Sequence, residues 1–295
     1  MKFLAILSLF IFSVVSEAKL KQFPLDDHNY VPKLDKGLRK YRTKSLKGTN
    51  KIVLTYDDGP HPVHTPKILD LLKKYNAKAT FFVLTKKINS ETLPIIHRII
   101  NEGHILASHD HDHDNNNKED ERTFKQELTT TIKSIESITD SLGVHANEMY
   151  YRFPYGAYGL NEAYHHMNVM KQVSDELYGE NCINFAFWDI DTLDWVPVFK
   201  SSHVAQNVLA NMRGGRAYSY KRKRTISGKR KYYLVKYKIR RPNKGGVVLM
   251  HDIQKRTIKA TETILKYAKR YKWKIIPLSD VKEFSYGNKT CVMKK

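Results

Sequence analysis

Short apolar runs recur along the chain and are separated by amphipathic stretches. The runs are rich in β-branched and aromatic residues, which is typical of strands in a sheet covered on both faces. The predicted strands are KIVLTY (51–56), ATFFVL (79–84), HILAS (104–108), EMYYRF (148–153), INFAFWDI (183–190), GGVVLMHD (245–252) and KIIPLSDV (274–281).

The intervening stretches repeat apolar residues every three or four positions, which places those residues on one face of a helix. In TPKILDLLKKY (65–75), Thr65 is the expected N-cap and Pro66 the first helical residue. The other predicted helices are LPIIHRIINEG (93–103), a long helix carrying Phe124, Leu128, Ile132, Ile135 and Ile138, residues 161–173, HVAQNVLANM (203–212) and residues 257–272. Repeated strand–helix units predict an α/β fold with a parallel sheet. About seven units indicate a (β/α) barrel, with an open doubly wound sheet as the alternative.

Residues 213–244 interrupt this alternation with fourteen Lys or Arg side chains and no acid. KYYLVKYKI (231–239) alternates well enough to form a strand, and Ser227-Gly228 suits a turn. We therefore expect a basic β-hairpin inserted before the GGVVLMHD strand. Its tyrosines could stack on sugar rings while the cations meet an acidic polymer, and a solvated hairpin that only aids solubility is the alternative. These tyrosines are Tyr218, Tyr220, Tyr232, Tyr233 and Tyr237.

The N-terminus has the features of a signal peptide, with Lys2, an apolar stretch over 3–15, and small residues at Ser16 and Ala18. The apolar stretch is too short to span a bilayer comfortably, and no later segment is apolar enough to do so. We expect cleavage after residue 18 and export to the periplasm or beyond, with an uncleaved signal anchor as the alternative. Export makes Cys182 and Cys291 candidates for a disulfide, although the sequence alone does not bring them together.

The composition changes this picture mainly through charge. The chain has 295 residues, 41% of them hydrophobic, which indicates a globular protein and not a disordered one. Its formal net charge is +21, from 51 Lys or Arg and 30 Asp or Glu residues. Such a charge favours nucleic acid, anionic lipid or acidic wall polymers as partners. For an exported protein we expect acidic cell-envelope material and no nucleic acid.

Unusual polar residues stand where the predicted strands end. In a parallel barrel all strand C-termini open onto one face, so these residues are expected in one pocket. They are Asp57, Asp58, His109, Arg152, Asp189, Asp191, Asp194, Trp195, His251 and Asp252. Each alone has an ordinary structural explanation, such as a turn at Asp57-Asp58, but their joint placement indicates a site.

The stretch SHDHDHDNNN (108–117) offers two incompatible sets of metal ligands. His109 and His113, four residues apart, suit zinc when a carboxylate completes the site. The other set has the spacing of a calcium loop and consists of Asp110, Asp112, Asp114 and Glu121. Asn115 stands where that loop needs Gly, and Asn117 where it needs an apolar residue, so the sequence favours the histidines. His111 is expected to face solvent.

A hydrolytic mechanism can be assembled from these residue types. A metal held by two histidines and one carboxylate activates water and polarises a carbonyl. The second carboxylate of the Asp57–Asp58 pair takes a proton from the water, while an arginine keeps that base ionised. A histidine on the far side protonates a leaving amine. This chemistry is metal-assisted hydrolysis of an amide or an ester.

Five motifs, in order, resemble those of the polysaccharide deacetylases of carbohydrate esterase family four, which carry the NodB homology domain. The resemblance runs from about Lys51 to Val281 and is interrupted by the basic insertion. The motifs are TYDDGPH (55–61), GHILASHDHDH (103–113), RFPYG (152–156), WDIDTLDW (188–195) and VVLMHD (247–252). The family's fold is a distorted (β/α) barrel, which agrees with the predicted units.

The resemblance implies a role for each matching residue. Asp57 is the expected catalytic base, oriented by Arg152, and His251 is the expected general acid, tuned by Asp194. The backbone of Tyr155, after Pro154, is expected to hold the oxyanion. The remaining implied residues are the metal ligands Asp58, His109 and His113, and the acetyl-pocket residues Trp195 and Leu249. Asp110 departs from the family, which usually has Ser or Thr there, and Tyr56 replaces the commoner Phe.

The resemblance also implies an activity. We expect a metal-dependent hydrolase that removes N-acetyl groups from a polymer containing N-acetylglucosamine, with peptidoglycan preferred. Chitin, chitooligosaccharides, exopolysaccharides and acetylated xylan are alternatives, as is a non-catalytic glycan- or polyanion-binding module. Zn²⁺ is the expected metal, with Co²⁺, Ni²⁺ or Mn²⁺ as alternatives. The expected organisation is a signal peptide (1–18), an N-terminal extension (19–48), the NodB-like domain (49–285) and a tail (286–295).

Overall fold

The computed structural model describes residues 43–144, 149–158, 165–180, 182–225, 227–284 and 291–294. The predicted signal peptide and most of the predicted N-terminal extension lie outside these residues, as does part of the tail. Within the described ranges, no helix combines the length and apolar character needed to cross a membrane.

Strands and helices alternate along the described chain, as the sequence pattern predicts. The strands are β1 (Lys51–Gly59), β2 (Thr80–Val83), β3 (Ile105–Ser108), β4 (Met149–Tyr151), β5 (Ile183–Phe185), β6 (Ile190–Asp191), β7 (Gly215–Arg224), β8 (Arg230–Ile239), β9 (Gly246–His251) and β10 (Lys274–Ile275). The α-helices are α1 (His64–Lys74), α2 (Leu93–Asn101), α3 (Glu121–Ser141), α4 (His165–Leu177), α5 (Ser201–Arg213) and α6 (Lys255–Tyr271).

One parallel sheet organises the domain. Its order is β5-β4-β3-β2-β1-β9-β6, and β10 adds a short pairing to β1. In the described chain no pairing joins β5 to β6, so the barrel is distorted and not closed by hydrogen bonds. The predicted α/β barrel fold is confirmed. Because every strand runs in the same direction, the C-terminal ends of β1, β3, β4, β6 and β9 share one rim.

The core lies on both faces of the sheet. In β1, Ile52, Val53, Leu54 and Tyr56 are all fully buried. Helix α1 covers one of these faces with Ile68, Leu69 and Leu72. Such two-sided burial explains why the strands read as continuous apolar runs and not as alternating ones.

Helix α1 begins at His64, two residues before the predicted first helical residue Pro66, and the prediction of Thr65 as its N-cap was wrong. The imidazole Nδ1 of His61 accepts hydrogen bonds from the backbone N–H groups of Val63 (3.1 Å) and His64 (3.2 Å). The Thr65 hydroxyl instead donates to Asp252 at 2.5 Å and accepts from the His61 N–H at 2.8 Å. A side chain committed to a neighbouring strand end is not available to cap its own helix.

The predicted strand INFAFWDI is divided into β5 and β6. The carbonyls of Ala186 and Phe187 accept hydrogen bonds from the guanidinium of Arg152, at 2.7 and 3.2 Å. The carboxylate of Asp189 accepts from the Val247 N–H at 2.7 Å. These side-chain contacts occupy backbone groups that a continuous strand would use in the sheet, so the chain leaves the sheet between the two short strands.

The basic insertion forms the predicted hairpin. Strands β7 and β8 pair antiparallel from Gly215–Ile239 to Arg224–Arg230. Asn207 of α5 holds the base of the hairpin: its Oδ1 accepts from the Tyr218 N–H at 2.7 Å, and its Nδ2 donates to the Tyr218 carbonyl at 3.0 Å. Hairpin side chains then pack on a small apolar cluster that includes Val196 and Phe199.

Both ends of the described chain are fastened to the barrel. Cys182, at the start of β5, forms a disulfide with Cys291 near the C-terminus. At the other end, the Thr43 N–H donates to Asp189 at 2.8 Å, and the Lys44 and Ser45 N–H groups each donate to Glu283 at 2.8 Å.

Candidate active site

A β-bulge at the end of β1 determines where the two adjacent aspartates point. The register with β2 shifts between Asp57 and Gly59, and Asp58 has a left-handed backbone conformation with φ of 71°. Successive side chains of a regular strand point to opposite faces, and a bulge can redirect one of them. Both carboxylates therefore reach His109 from the same side, which the DDG sequence alone does not indicate.

The two histidines meet Asp58 with their Nε2 atoms. Asp58 Oδ1 lies 3.4 Å from His109 Nε2 and 3.2 Å from His113 Nε2. His109 Nδ1 donates to the carbonyl oxygen of Arg152 at 2.7 Å. Because a carbonyl can only accept, Nδ1 carries the proton. In neutral His109, Nε2 therefore has no proton, and its lone pair is directed at Asp58.

These three residues fit a divalent metal. One ligand atom from each lies within 4.8 Å of the others. Asp58 Oδ1 is buried, and no donor with hydrogen-bond geometry reaches it in the described part of the chain. Burial alone would lower the pKa of His109, but the charges of Asp57 and Asp58 outweigh burial and raise it. A buried, electron-rich site of two imidazoles and one carboxylate is the donor set of a zinc centre with an open position.

Arg152 lies beneath the site and is fully buried. Its Nη1 donates to Asp57 Oδ1 at 2.6 Å and to the Thr55 hydroxyl at 2.8 Å, and its guanidinium stacks 3.9 Å from the ring centre of Phe82. Because Nε and Nη2 donate to the carbonyls of Ala186 and Phe187, all three guanidinium nitrogens have an acceptor. Asp57 Oδ2 stays on the metal side, 3.8 Å from His109 Nε2.

His251, at the end of β9, pairs with Asp194 on the opposite side of the site. Asp194 accepts from His251 Nδ1 and from the His251 backbone N–H, each at 2.7 Å, and from the Thr257 hydroxyl at 2.5 Å. Burial would lower the pKa of His251, but the charge of Asp194 and its hydrogen bond raise the pKa to about 10. The imidazole is therefore cationic at neutral pH, with its Nε2 proton on the side away from Asp194.

The remaining predicted site residues lie around this centre. Tyr155 has φ of 57°, is 66% exposed, and touches the ring of His113 edge-on at 4.6 Å between centroids. Pro154 precedes it and is buried. Leu249 is buried in β9 two positions before His251, hence on the same sheet face. Trp195 is 38% exposed and contacts Tyr220 of the hairpin edge-on at 5.4 Å.

Two of the polar strand-end residues, Asp189 and Asp252, bind neighbouring segments of the fold and not the histidines. Asp189 binds backbone groups at both Thr43 and Val247, away from the histidines. Asp252 accepts from Thr65, and a Cβ placed on Gly59 would lie 2.2 Å from Asp252 Oδ2. Gly59 is therefore required for this close approach.

Sequence reasoning missed several residues that hold the site together. The Thr257 hydroxyl donates to Asp194, the partner of His251. The Thr55 hydroxyl accepts from Arg152, the partner of Asp57. Lys87 Nζ donates to the Asp58 backbone carbonyl at 2.8 Å. Thr55 and Thr257 lie inside ordinary strand and helix patterns, and Lys87 ends a short 3-10 turn between predicted elements. Only the register of β1 with its neighbours could have identified Thr55, which points to the same face as Asp57 two positions later.

The structure does not assemble the linear calcium loop. Asp110 is fully buried, whereas Asp114 and Glu121 are exposed. Among the described residues, Asp110 instead converges with Glu119 and Glu127. The choice of the histidines over the linear loop agrees with this arrangement.

Comparisons with known proteins agree with this geometry. The family model described as polysaccharide deacetylase matches residues 44–171. A peptidoglycan-N-acetylglucosamine deacetylase of Bacillus cereus is 36% identical over 164 residues, covering 55% of this chain and 52% of that protein. The peptidoglycan-N-acetylglucosamine deacetylase PgdA of Listeria monocytogenes is 29% identical over 248 residues, covering 84% of this chain and 41% of that protein. The chain thus spans about half the length of these curated relatives.

A solved structure extends the likeness to three dimensions. A crystal structure of a peptidoglycan N-acetylglucosamine deacetylase in complex with an N-oxidanyl-benzamide superposes with a TM-score of 0.57 at 25% identity. The match covers 81% of this chain and 90% of that chain, well beyond the segment that the family model matches. In its motifs, its fold and these relatives, the chain is similar to the polysaccharide deacetylases of carbohydrate esterase family four.

Proposed function

We propose that the protein is a metal-dependent N-deacetylase that acts on N-acetylglucosamine residues of peptidoglycan. The observation that carries the proposal is the convergence, at one rim of the sheet, of a metal-ligand set, a buried carboxylate base and a cationic histidine. The residues of this set are Asp57, Asp58, His109, His113, Arg152, Asp194 and His251. A binding module would need no such combination of proton acceptor, proton donor and metal ligands.

Asp58, His109 and His113 would hold the metal. A divalent ion there would supply positive charge that polarises the acetyl carbonyl and makes water more acidic. Zn²⁺ is preferred because two imidazoles and one carboxylate match its usual catalytic ligands. The Nδ1–H bond from His109 to the Arg152 carbonyl fixes the ring and its tautomer, as the partners of metal-bound histidines commonly do.

Asp57 and His251 divide the proton transfers of amide hydrolysis. Arg152 occupies Asp57 Oδ1, which leaves Oδ2 to accept the proton of the attacking water. Attack on the acetyl carbon forms a tetrahedral intermediate, and the backbone N–H of Tyr155 is suited to its oxyanion. Breaking the C–N bond requires a proton on the glucosamine nitrogen, which His251 donates from Nε2 while Nδ1 stays bonded to Asp194. The products are acetate and a free amine.

The hairpin extends the candidate substrate surface. Trp195 lies at the rim of the site, Tyr220 contacts it at 5.4 Å, and Tyr232 continues the run 5.6 Å from Tyr220. A row of aromatic rings flanked by exposed cations is suited to a long sugar chain that carries negative groups. This favours an envelope polymer over a short neutral oligosaccharide.

Export to the cell envelope fits the same proposal. The Cys182–Cys291 disulfide is the kind of crosslink that persists outside the reducing cytoplasm. The N-terminal sequence has the three regions of a signal peptide. A peptidoglycan substrate is reached only beyond the cytoplasmic membrane.

Acetate release from a panel of polymers tests the proposal. The panel contains peptidoglycan, chitooligosaccharide and acetylated xylan, each assayed with chelator-treated protein before and after Zn²⁺ is restored. We expect Zn²⁺-dependent release that is fastest from peptidoglycan. Faster release from xylan would identify an esterase, and polymer binding without acetate release under any metal would identify a non-catalytic module.

A further inference from the structure

Three carboxylates converge beside the histidine loop but outside the Asp58–His109–His113 site. Asp110 directly follows His109, Glu119 lies just before α3, and Glu127 belongs to the second turn of α3. One oxygen from each lies within 4.8 Å of the others. Asp110 is fully buried, and the two glutamates are half-buried.

Several oxygens in this cluster lack the partners that buried polar groups normally have. Asp110 Oδ1 and Glu127 Oε2 are buried and have no partner at normal hydrogen-bond geometry among the described residues. The same holds for Oδ1 of Asn116, a fully buried side chain whose amide lies inside the cluster. Its Nδ2 is 3.4 Å from Asp110 Oδ2 and 3.2 and 3.1 Å from the two Glu119 oxygens, which is more acceptors than two hydrogens can serve. The Asp110 carboxylate interacts more loosely with the Tyr151 hydroxyl and with the backbone of His111.

A half-turn of the Asn116 amide exchanges its nitrogen and oxygen, which a structure distinguishes only through their partners. With Oδ1 turned inward, the amide would add a fourth oxygen to the three carboxylates. That orientation is repulsive unless a cation lies between the oxygens. The buried hydroxyl of Tyr151 belongs to the same group, because it interacts with Asp110 and has no partner at normal hydrogen-bond geometry among the described residues. Burial, followed by the charges of Asp110 and Glu119, raises the pKa of Tyr151.

Among the described residues, the cluster has no ion-paired Lys or Arg to balance its charge. After burial, the groups that most raise the pKa of Glu127, to about 7, are all negative. They are Asp110, Glu119, Asp112 and Asp114. In a chain with a formal charge of +21, such a concentration of acid is exceptional.

We propose that Asp110, Glu119 and Glu127, together with Asn116 and Tyr151, form a second cation site that binds Ca²⁺. All of its donors are oxygens, which hard cations prefer, and it offers no nitrogen ligand of the kind that favours zinc. Ca²⁺ tolerates irregular sets of carboxylate, amide and water oxygens, whereas Mg²⁺ requires a stricter octahedron. Glu119, but neither Asp110 nor Glu127, also lines an open pocket of about 380 Å³ together with His113 and Lys118.

The bound ion would brace the loop that carries the catalytic metal ligands. Asp110 and His113 have left-handed backbone conformations, with φ of 83° and 72°, which are costly for residues other than glycine. A cation that joins Asp110 to the start of α3 would hold this loop from the side opposite His109. The site thus acts on the geometry of the zinc centre without contributing a ligand to it.

Ca²⁺ binding to the zinc-loaded, full-length protein tests the proposal. Titration calorimetry should show one Ca²⁺ per chain. The melting temperature should rise by roughly 5 °C when Ca²⁺ exceeds its dissociation constant about 100-fold. Glu127→Gln keeps the shape of the side chain and should weaken Ca²⁺ binding at least about 10-fold. Mg²⁺ at the same concentrations should produce a smaller shift.

Two further variants locate the ion. Glu121→Gln alters an exposed residue of the same helix, which belongs to the linear calcium-loop spacing, and should bind Ca²⁺ like the parent. Asp58→Ala should lose zinc yet retain Ca²⁺. Absence of saturable Ca²⁺ binding in the parent would overturn the proposal. So would loss of Ca²⁺ binding in Glu121→Gln but not in Glu127→Gln, or its loss in Asp58→Ala.

Discussion

The candidate active site and the basic hairpin are both built from charged side chains, but they arrange those charges in opposite ways. In the site, Arg152 is fully buried 2.6 Å from Asp57, and His251 lies 2.7 Å from Asp194. In the hairpin, Lys and Arg are exposed, and no Asp or Glu occurs anywhere over 196–251. The site therefore pairs Asp57 and Asp194 each with one cation at a fixed distance, whereas the hairpin accumulates a single sign.

The two arrangements respond differently to change. Removing one partner of a buried pair leaves an uncompensated charge and costs about 3–5 kcal/mol. An exposed charge contributes little alone, and its field is screened over roughly 8 Å at physiological salt. Single substitutions in the site should thus abolish a step, while substitutions in the hairpin should add up gradually.

The largest effect is expected at the metal ligands. Asp58→Ala, His109→Ala and His113→Ala should each lose the metal and reduce acetate release by more than about 100-fold, since removing even a residue that orients a ligand typically costs 10–100-fold. Elemental analysis of each purified variant, alongside the acetate assay, checks this result. His111→Ala is the matched control from the same loop, because His111 is exposed and its imidazole hydrogen-bonds with Thr85, outside the metal-ligand set. Full metal content in His109→Ala would contradict the assignment.

The next effect concerns the base. Asp57→Asn preserves the shape of the side chain and an acceptor for Arg152 but cannot take a proton from water. We expect the metal to remain and kcat to fall by about 10²–10⁴-fold, the usual contribution of a general base. Metal content and steady-state rates measured on one preparation separate the two properties. A variant that loses the metal together with its activity would show that Asp57 is a ligand and not the base.

The role of His251 as general acid should be visible in the pH dependence of kcat/KM. A general acid works only while it is protonated, and the raised pKa of His251 keeps it protonated through neutral pH. In Asp194→Asn the pKa of His251 should fall, because burial is then opposed only by the weaker effects of Asp58 and Asp57. The alkaline limb of kcat/KM should therefore move to lower pH, by at least about one unit. An unmoved alkaline limb would argue against this pair.

A second measurement tests whether His251 protonates the leaving nitrogen. An amide needs its leaving nitrogen protonated, whereas an activated ester does not. His251→Ala should consequently lose far more activity on an N-acetyl substrate than on an activated acetyl ester. Equal losses on the two substrates would mean that His251 has another role.

The sequence predicted elements more accurately than it predicted their ends. Helix α3 follows its apolar stripe, and Asp120 caps it by accepting from the Thr123 N–H at 2.7 Å. The errors arose where a side chain from elsewhere in the chain takes over a local role. Arg152 divides β5 from β6, and Asp252 occupies the Thr65 hydroxyl. Such contacts join residues far apart in sequence, and periodicity does not detect them.

The same reasoning applies to the candidate site. Strand-end positions identified its polar residues, because a parallel sheet brings strand ends together whatever the loops do. The bulge at Asp58 and the meeting of Asp110 with Glu119 and Glu127 depend on three-dimensional register and loop path. The sequence spacing therefore drew attention to the right stretch, 108–117, but grouped its aspartates with the wrong partners.

The smallest effect is expected at the tip of the hairpin, where charge can be changed without disturbing the aromatic base. Lys223, Arg224, Arg230 and Lys231 are exposed and face one another across the two strands. Changing all four to Gln should weaken binding to peptidoglycan sacculi by roughly 10-fold at low salt and flatten its salt dependence. Activity on a small neutral chitooligosaccharide should stay the same. A control with the exposed lysines Lys73, Lys133, Lys272 and Lys274 changed to Gln lowers the net charge equally. If both variants bind sacculi alike, overall charge and not the hairpin attracts the polymer, and the hairpin serves only the packing around Phe199.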